Sequence, residues 1–186
     1  MADHVLMVVD VQEGFTRRGN LASPVCTEAI PRVVRLVEDA VTSGVPVIFT
    51  KDSHVVDDRE FEVFPPHCVV GSPEHDLVPE LRPFEEGAAA VIEKRRYSAF
   101  FDTDLESVLQ GLGVKEVQIA GFCTDICVLH TTADLRNRDY GVTVLADGCE
   151  TFDAPGHDHA EVNRWALGHI EHILGAKVLA GAAAEE

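Results

Sequence analysis

The sequence predicts an α/β fold, a three-layer α/β/α sandwich built on a parallel sheet. Short apolar, β-branched runs alternate along the chain with stretches of helical spacing, the form of repeated βα units. The runs are apolar almost throughout, as strands are when helices cover a sheet on both faces. Chain length adds a third constraint: 186 residues suit one ordinary domain with its own core, here taken as residues 1–180.

Taken in order, residues 4–9 (His-Val-Leu-Met-Val-Val) form the first strand. Residues 30–43 follow as a helix, with Val33, Val34, Val37 and Val41 on one face. Strands are expected at 45–50 and 89–93, where β-branched residues cluster between turn formers. Between them, residues 52–83 are rich in Asp, Glu, His and Pro with little periodicity, and a segment of that length points to function rather than connection. Thr103-Asp104-Leu105-Glu106 reads as a capping box ahead of Val108, Leu109 and Leu112. A strand at 116–121 leads to a helix over 125–137, carrying Ile126, Leu129 and Ala133 at helical spacing. A strand at 142–146, a helix over 157–174 with Ala166, Ile170 and Ile173, and a strand at 177–179 complete the order. The final Gly-Ala-Ala-Ala-Glu-Glu, residues 181–186, reads as a disordered tail.

Hydrophobic residues make up 46% and charged residues 25%, as in soluble globular chains. Fifteen Lys plus Arg against 32 Asp plus Glu leave a net charge of −17, which repels nucleic acid and anionic membrane surfaces. No apolar run has the roughly 18 to 20 residues of a membrane helix, and residues 1–10 lack a signal-like pattern. A cytoplasmic protein is expected. The cysteines at 26, 68, 123, 127 and 149 are odd in number and form no CxxC pair, so reduced thiols are expected rather than a disulfide framework or a Cys-rich zinc site.

Ligands of an open α/β sheet bind beyond the carboxyl ends of its strands. There the sequence puts Asp10, Asp52, Lys94, the 121–127 turn and Asp147. Cys127, at the start of a helix, gains thiolate character from free N–H groups and from a nearby Lys94 cation, while Asp10 can move protons for a nitrogen leaving group. Nucleophile, cation and general acid/base are then all present. Each residue by itself also reads as structural: a buried Cys, a strand-ending Asp, a surface Lys. Cys123 and Cys149 read as small core or turn residues.

The blocks Asp10-Val11-Gln12 with Phe15, Lys94 after a strand, and Gly121-Phe122-Cys123-Thr124-Asp125-Ile126-Cys127-Val128 resemble the Asp, Lys and Cys signatures of the isochorismatase-like cysteine hydrolases. Asp52-Ser53-His54 and Phe64-Pro65-Pro66-His67-Cys68-Val69-Val70-Gly71 resemble the metal-binding blocks of the nicotinamidases within that superfamily. The resemblance implies a six-stranded parallel sheet with Rossmann-like connectivity and an Asp10–Lys94–Cys127 triad. It implies a cis peptide ahead of Cys123 and an oxyanion site at the N–H groups of Cys123 and Cys127. The implied activity is hydrolysis of nicotinamide, or a similar aromatic amide, to the acid and ammonia, in NAD salvage. Homo-oligomers are common in the family and expected here.

Asp52 and His54 share one face of an extended segment, and His67 can fold back to them. That set suits one divalent ion, zinc first, with iron or manganese as alternatives. In the resembling family the ion orients the pyridine ring. Phe15, Phe64 and Tyr97 are candidates for an aromatic substrate wall, with core packing as the alternative. Phe64 stands where the family's block usually opens with Trp, and Gly71-Ser72 replaces the more usual Gly-Thr. Asp153, His157, Asp158 and His159 read as the polar start of the last helix, with Asp153 or His157 near its cap. Two other readings stay open: a related cysteine amidohydrolase for another small amide or carbamoyl compound, and a non-catalytic metal-binding or interaction module of the same fold. Cys127 argues against an isochorismatase proper, which usually lacks that thiol.

Overall fold

A computed structural model describes residues 3–180, so the tail at 181–186 lies outside the described residues. Strands β1 (His4–Val9), β2 (Val47–Asp52), β3 (Ala90–Lys94), β4 (Glu116–Phe122), β5 (Gly141–Glu150) and β6 (Lys177–Leu179) form one parallel sheet in the order β3-β2-β1-β4-β5-β6. Strand order reverses beside β1, which pairs with both β2 and β4. That crossing is the switch point where α/β sheets open a crevice at their carboxyl ends.

The helices are α1 (Glu13–Thr16), α2 (Pro24–Thr42), α3 (Arg82–Glu85), α4 (Leu105–Leu112), α5 (Leu129–Arg136) and α6 (His159–His172). Helix α2 packs Ile30, Val33 and Val37 against Leu6, Val8 and Phe49 on one sheet face. On the other, Leu105, Leu109, Leu135 and Ile170 from α4, α5 and α6 meet Val5, Met7, Val117, Ile119 and Val144. This double covering explains why β2 is buried at every position and β1 at all but its first. No helix among the described residues is long and apolar enough to cross a membrane.

Several local expectations are corrected. Helix α2 begins at Pro24, earlier than the apolar spacing suggested, because Ser23 caps it by accepting from the Cys26 N–H at 3.3 Å and Pro24 is preorganised for the first turn. Its buried face runs through Cys26, Ala29, Ile30, Val33, Val37 and Ala40, and Val41 is exposed. The capping box at α4 does not close. Glu106 turns instead to Gln110 one turn on, at 3.1 Å, and to Arg138 at 2.8 Å, the second a distant partner that a local pattern cannot reveal. Strand β5 extends to Glu150, past a register shift against β4 between Ile119 and Gly121. Asp147 therefore lies inside the strand with its side chain exposed, away from the crevice.

Candidate active site

The crevice side chains sit where β1, β2, β3 and β4 end. Asp10 follows β1 with φ at 51°, a left-handed turn that carries the carboxylate into the interior. The Thr50 hydroxyl donates to its Oδ1 at 2.6 Å. Lys94, the last residue of β3, is 1% exposed, a burial lysine tolerates only beside countercharge. Its Nζ lies 2.7 Å from Asp10 Oδ2, contacts Asp52 Oδ1, and lies 3.5 Å from Cys127 Sγ. The three residues expected as a triad, Asp10, Lys94 and Cys127, are thus brought together. Asp52 joins them as a fourth member, because β2 runs to residue 52 and pairs Asp52 directly with Lys94.

Electrostatics follow from two buried carboxylates around one ammonium. Burial opposes the charge on Lys94, but Asp10 and Asp52 outweigh it and hold its pKa well above the ordinary lysine value. Asp10 is pushed up, by burial first and by Asp52 besides, against the pull of Lys94. Asp52 is held below the usual carboxylate range: burial works against it, and Lys94, His54 and His67 overcome that. Cys127 departs from expectation. Burial, with Asp10 and Asp52 besides, pushes its thiol well above its ordinary value against the opposing Lys94 charge. Residues 124–128 make a π-helical turn before α5 begins at Leu129, so Cys127 sits in that turn rather than in the first turn of the α-helix. Cys123 caps that turn, and the Phe122–Cys123 peptide is cis, at the position the motif implied.

The second half of the site grows from the segment after β2. His54 pairs with Val69 in an isolated parallel bridge: its N–H donates to the Cys68 carbonyl at 3.1 Å, and its own carbonyl accepts from Val70 N–H at 3.0 Å. That bridge carries His67 alongside His54, their ring centroids 4.6 Å apart. Glu60, on a 3₁₀ turn (Arg59–Glu62), points into the same space, a residue the sequence reading did not identify. Asp58 caps this turn by accepting from the Glu60 N–H at 3.0 Å, and Arg96 holds Asp58 at 2.8 Å. No periodicity marks the turn, so the inward direction of Glu60 had no signal in the sequence.

Asp52 Oδ2 lies 3.7 Å from His54 Nε2 and 3.8 Å from His67 Nε2, and Glu60 Oε1 lies 3.8 and 3.9 Å from the same nitrogens. All four residues are buried, and His54 Nε2 has no hydrogen-bond partner among the described residues. An orphaned buried nitrogen facing two carboxylates and a second imidazole has the donor chemistry of a divalent-metal site. One outer partner fits as well: the Pro65 carbonyl sits 2.8 Å from His67 Nδ1, directing its Nε2 inward, while Asp58 Oδ2 lies 3.3 Å from His54 Nδ1 as an ion-pair neighbour without a hydrogen bond. Two imidazoles and two carboxylates, with no thiolate, suit zinc, iron or manganese alike. Gln12 supports the set by accepting from the Asp52 N–H at 2.8 Å and donating to its carbonyl at 3.0 Å.

A cavity opens over both halves, with Cys127, Asp52, Glu60 and His67 in its floor. Phe15, Leu21, Phe64, Tyr97, Ile126 and Phe152 form its apolar walls, so the three expected aromatics border it, although Phe15 also packs on His67. Cys26 and Cys123 reach the same cavity. Cys149 lies in the core, its thiol pushed up to about 12 by burial. The cluster Asp153, His157, Asp158 and His159 is the polar start of α6, as expected: Asp158 is the N-cap, accepting from the Glu161 N–H at 2.9 Å, His157 directly precedes it, and Asp153 accepts from His159 N–H.

Residues 4–168 match the isochorismatase domain family. A crystal structure of a nicotinamidase from Bacillus subtilis superposes with a TM-score of 0.85 at 32% identity, covering 96% of this chain and all of that one. A pyrazinamidase from Pyrococcus horikoshii, in complex with zinc, superposes at 0.84 and 30% identity over 96% of this chain and 99% of its own. An N-carbamoylsarcosine amidase from Thermoplasma acidophilum reaches 0.84 at 30% identity, with both chains fully covered.

Proposed function

The chain belongs to the isochorismatase domain family, and from that premise we propose that it is a nicotinamidase, hydrolysing nicotinamide to nicotinate and ammonia in NAD salvage. The observation that carries this reading is Asp52. One of its oxygens contacts Lys94 of the triad and the other faces His54 and His67, so one buried carboxylate belongs to both halves of the site. A substrate engaging both halves needs a Lewis-basic atom a few ångströms from an electrophilic carbonyl, as in a pyridine carboxamide. The apolar walls favour a flat ring.

Asp52, His54, Glu60 and His67 would hold the divalent ion, which when bound supplies a Lewis acid for the ring nitrogen. The chain's own residues do the rest. As Cys127 Sγ attacks the carboxamide carbon, its proton passes to Asp10, which burial first, and Asp52 besides, makes more basic than an ordinary carboxylate. N–H groups of Cys123 and Cys127 are assigned to the tetrahedral oxygen. Asp10 returns the proton to the amine, the C–N bond breaks, and ammonia leaves a thioester on Cys127. Asp10 then takes a proton from water as that water attacks the thioester, and the thiol reforms as nicotinate departs. Lys94 keeps the two carboxylates compatible throughout by standing between them.

Ammonia release from nicotinamide by the purified protein, before and after chelation and after restoring zinc, iron or manganese singly, tests the reading. Turnover lost on chelation, regained with metal, and abolished in Cys127→Ala is the expected result. No turnover of nicotinamide with turnover of an N-carbamoyl amino acid would replace it with the second reading, which the carbamoylsarcosine amidase neighbour favours. Failure of every amide together with an unreactive Cys127 would favour a non-catalytic module.

A further inference from the structure

Asp125 lies two residues before Cys127 in the π-helical turn, and both its carboxylate oxygens are engaged from outside that turn. The Thr151 hydroxyl donates to Oδ1 at 2.6 Å, and His157 Nε2 lies 3.0 Å from Oδ2. His157 Nδ1 is 2.8 Å from the Phe152 carbonyl, and its ring stacks on the Phe152 ring at 4.2 Å with 6° between planes. Phe152 is itself a wall of the cavity that holds Cys127. One imidazole from the loop after β5 therefore touches the turn that carries the nucleophile and the wall that faces the ring of a substrate.

We infer that His157 is a positioning residue with two separable tasks: through Asp125 it holds the 124–128 turn so that Cys127 meets the carbonyl, and through Phe152 it holds the aromatic wall. The inference rests on the proposed amidase reading for its kinetic part. The first task acts on the chemical step and belongs to kcat, since removing order at the nucleophile costs transition-state stabilisation. The second acts on ring binding and belongs to KM. Both contacts come from a half-buried side chain at the edge of the fold, so its replacement leaves the core intact.

Two substitutions divide the tasks. His157→Gln keeps a donor at the Nε2 position and loses the stack; His157→Phe keeps the stack and loses the donor. Hydrogen exchange of residues 123–128 in the intact protein, together with nicotinamide kinetics, reads both. His157→Phe is expected to lose roughly tenfold in protection at 123–128 and roughly tenfold in kcat, with KM little changed, the size expected for one hydrogen bond to a charged group. His157→Gln is expected to retain protection and kcat while KM rises several-fold. Equal effects of the two variants on exchange, kcat and KM would overturn the inference, as would changes confined to thermal stability or a loss of protection with kcat unchanged. Should the wild-type protein release no ammonia from nicotinamide, the amidase reading fails by itself and the exchange comparison alone decides the role of His157.

Discussion

Gly121→Ala tests whether the β1–β4 crossing sets the geometry of the site. Gly121 pairs with Val9, the residue directly before Asp10, and lies two residues before Cys123. Its φ of 128° is a conformation that side-chain-bearing residues rarely adopt. A Cβ there would stand 2.1 Å from the Val9 carbonyl oxygen, 2.6 Å from its nitrogen and 2.8 Å from its carbonyl carbon. These are backbone atoms of a paired central strand and cannot swing aside, so relief requires the strands to part by about 1 Å at the level of Asp10. Backbone strain of about 1–3 kcal/mol and overpacking of a similar amount sum to roughly 2–6 kcal/mol, a large share of a typical domain's 5–15. A displacement of about 1 Å between Asp10 and Cys127 also lowers kcat/KM by roughly a hundredfold in any fraction that folds. Urea unfolding and ammonia-release kinetics on the folded variant measure the two effects. A loss below about 1 kcal/mol together with near wild-type kcat/KM would refute the claim that close strand approach here holds Asp10 against the nucleophile turn.

Lys94→Ala leaves Asp10 and Asp52 buried without countercharge and is expected to cost about 3–5 kcal/mol in chemical denaturation as well as all turnover; an undisturbed midpoint would mean the two carboxylates are not ionised together. His54→Ala and Glu60→Ala should each lower metal content by elemental analysis and raise KM for nicotinamide, while Cys127 stays reactive to a small alkylating reagent; unchanged metal in both would remove the donor set from the mechanism. Burial opposes the charge on His157, but Asp125 and the Phe152 carbonyl raise its pKa above the ordinary 6.5, so the stability it contributes is present below that value and fades as pH rises through the higher folded value. The denaturation advantage of wild type over His157→Gln should accordingly shrink from pH 6 to pH 9, and an advantage that grows with pH would reverse the sign.

Much of the fold was legible because a parallel sheet covered on both faces writes itself as apolar runs. Residues 4–9 and 177–179 are strands with the bounds read from the sequence, and the layer order follows from the alternation of runs and helices. Asp10, Lys94 and Cys127 were legible as a set because strand ends of a switch-point sheet converge, and Asp52 with His54 because alternate residues of an extended segment share a face. Glu60 was not, since its direction depends on the Asp58 cap and the Arg96 contact, both made after the segment folds back. The same holds for Glu106, drawn from its box by Arg138, and for His157, whose partner Asp125 is 32 residues away in the chain.

The sequence by itself determined the architecture, through residue type and spacing, and its resemblance to the isochorismatase-like hydrolases singled out Cys127 as the proposed nucleophile and Asp52, His54 and His67 as proposed donors. Tertiary structure alone decided their states. Burial, with Asp10 and Asp52 alongside, pushes the Cys127 thiol up against the pull of Lys94, and the pairing of Asp52 with Lys94 across β2 and β3 puts one carboxylate between that ammonium and the two imidazoles. Charge in a low-dielectric interior responds to every neighbour within a few ångströms, and those neighbours come from strands whose pairing only the folded chain specifies.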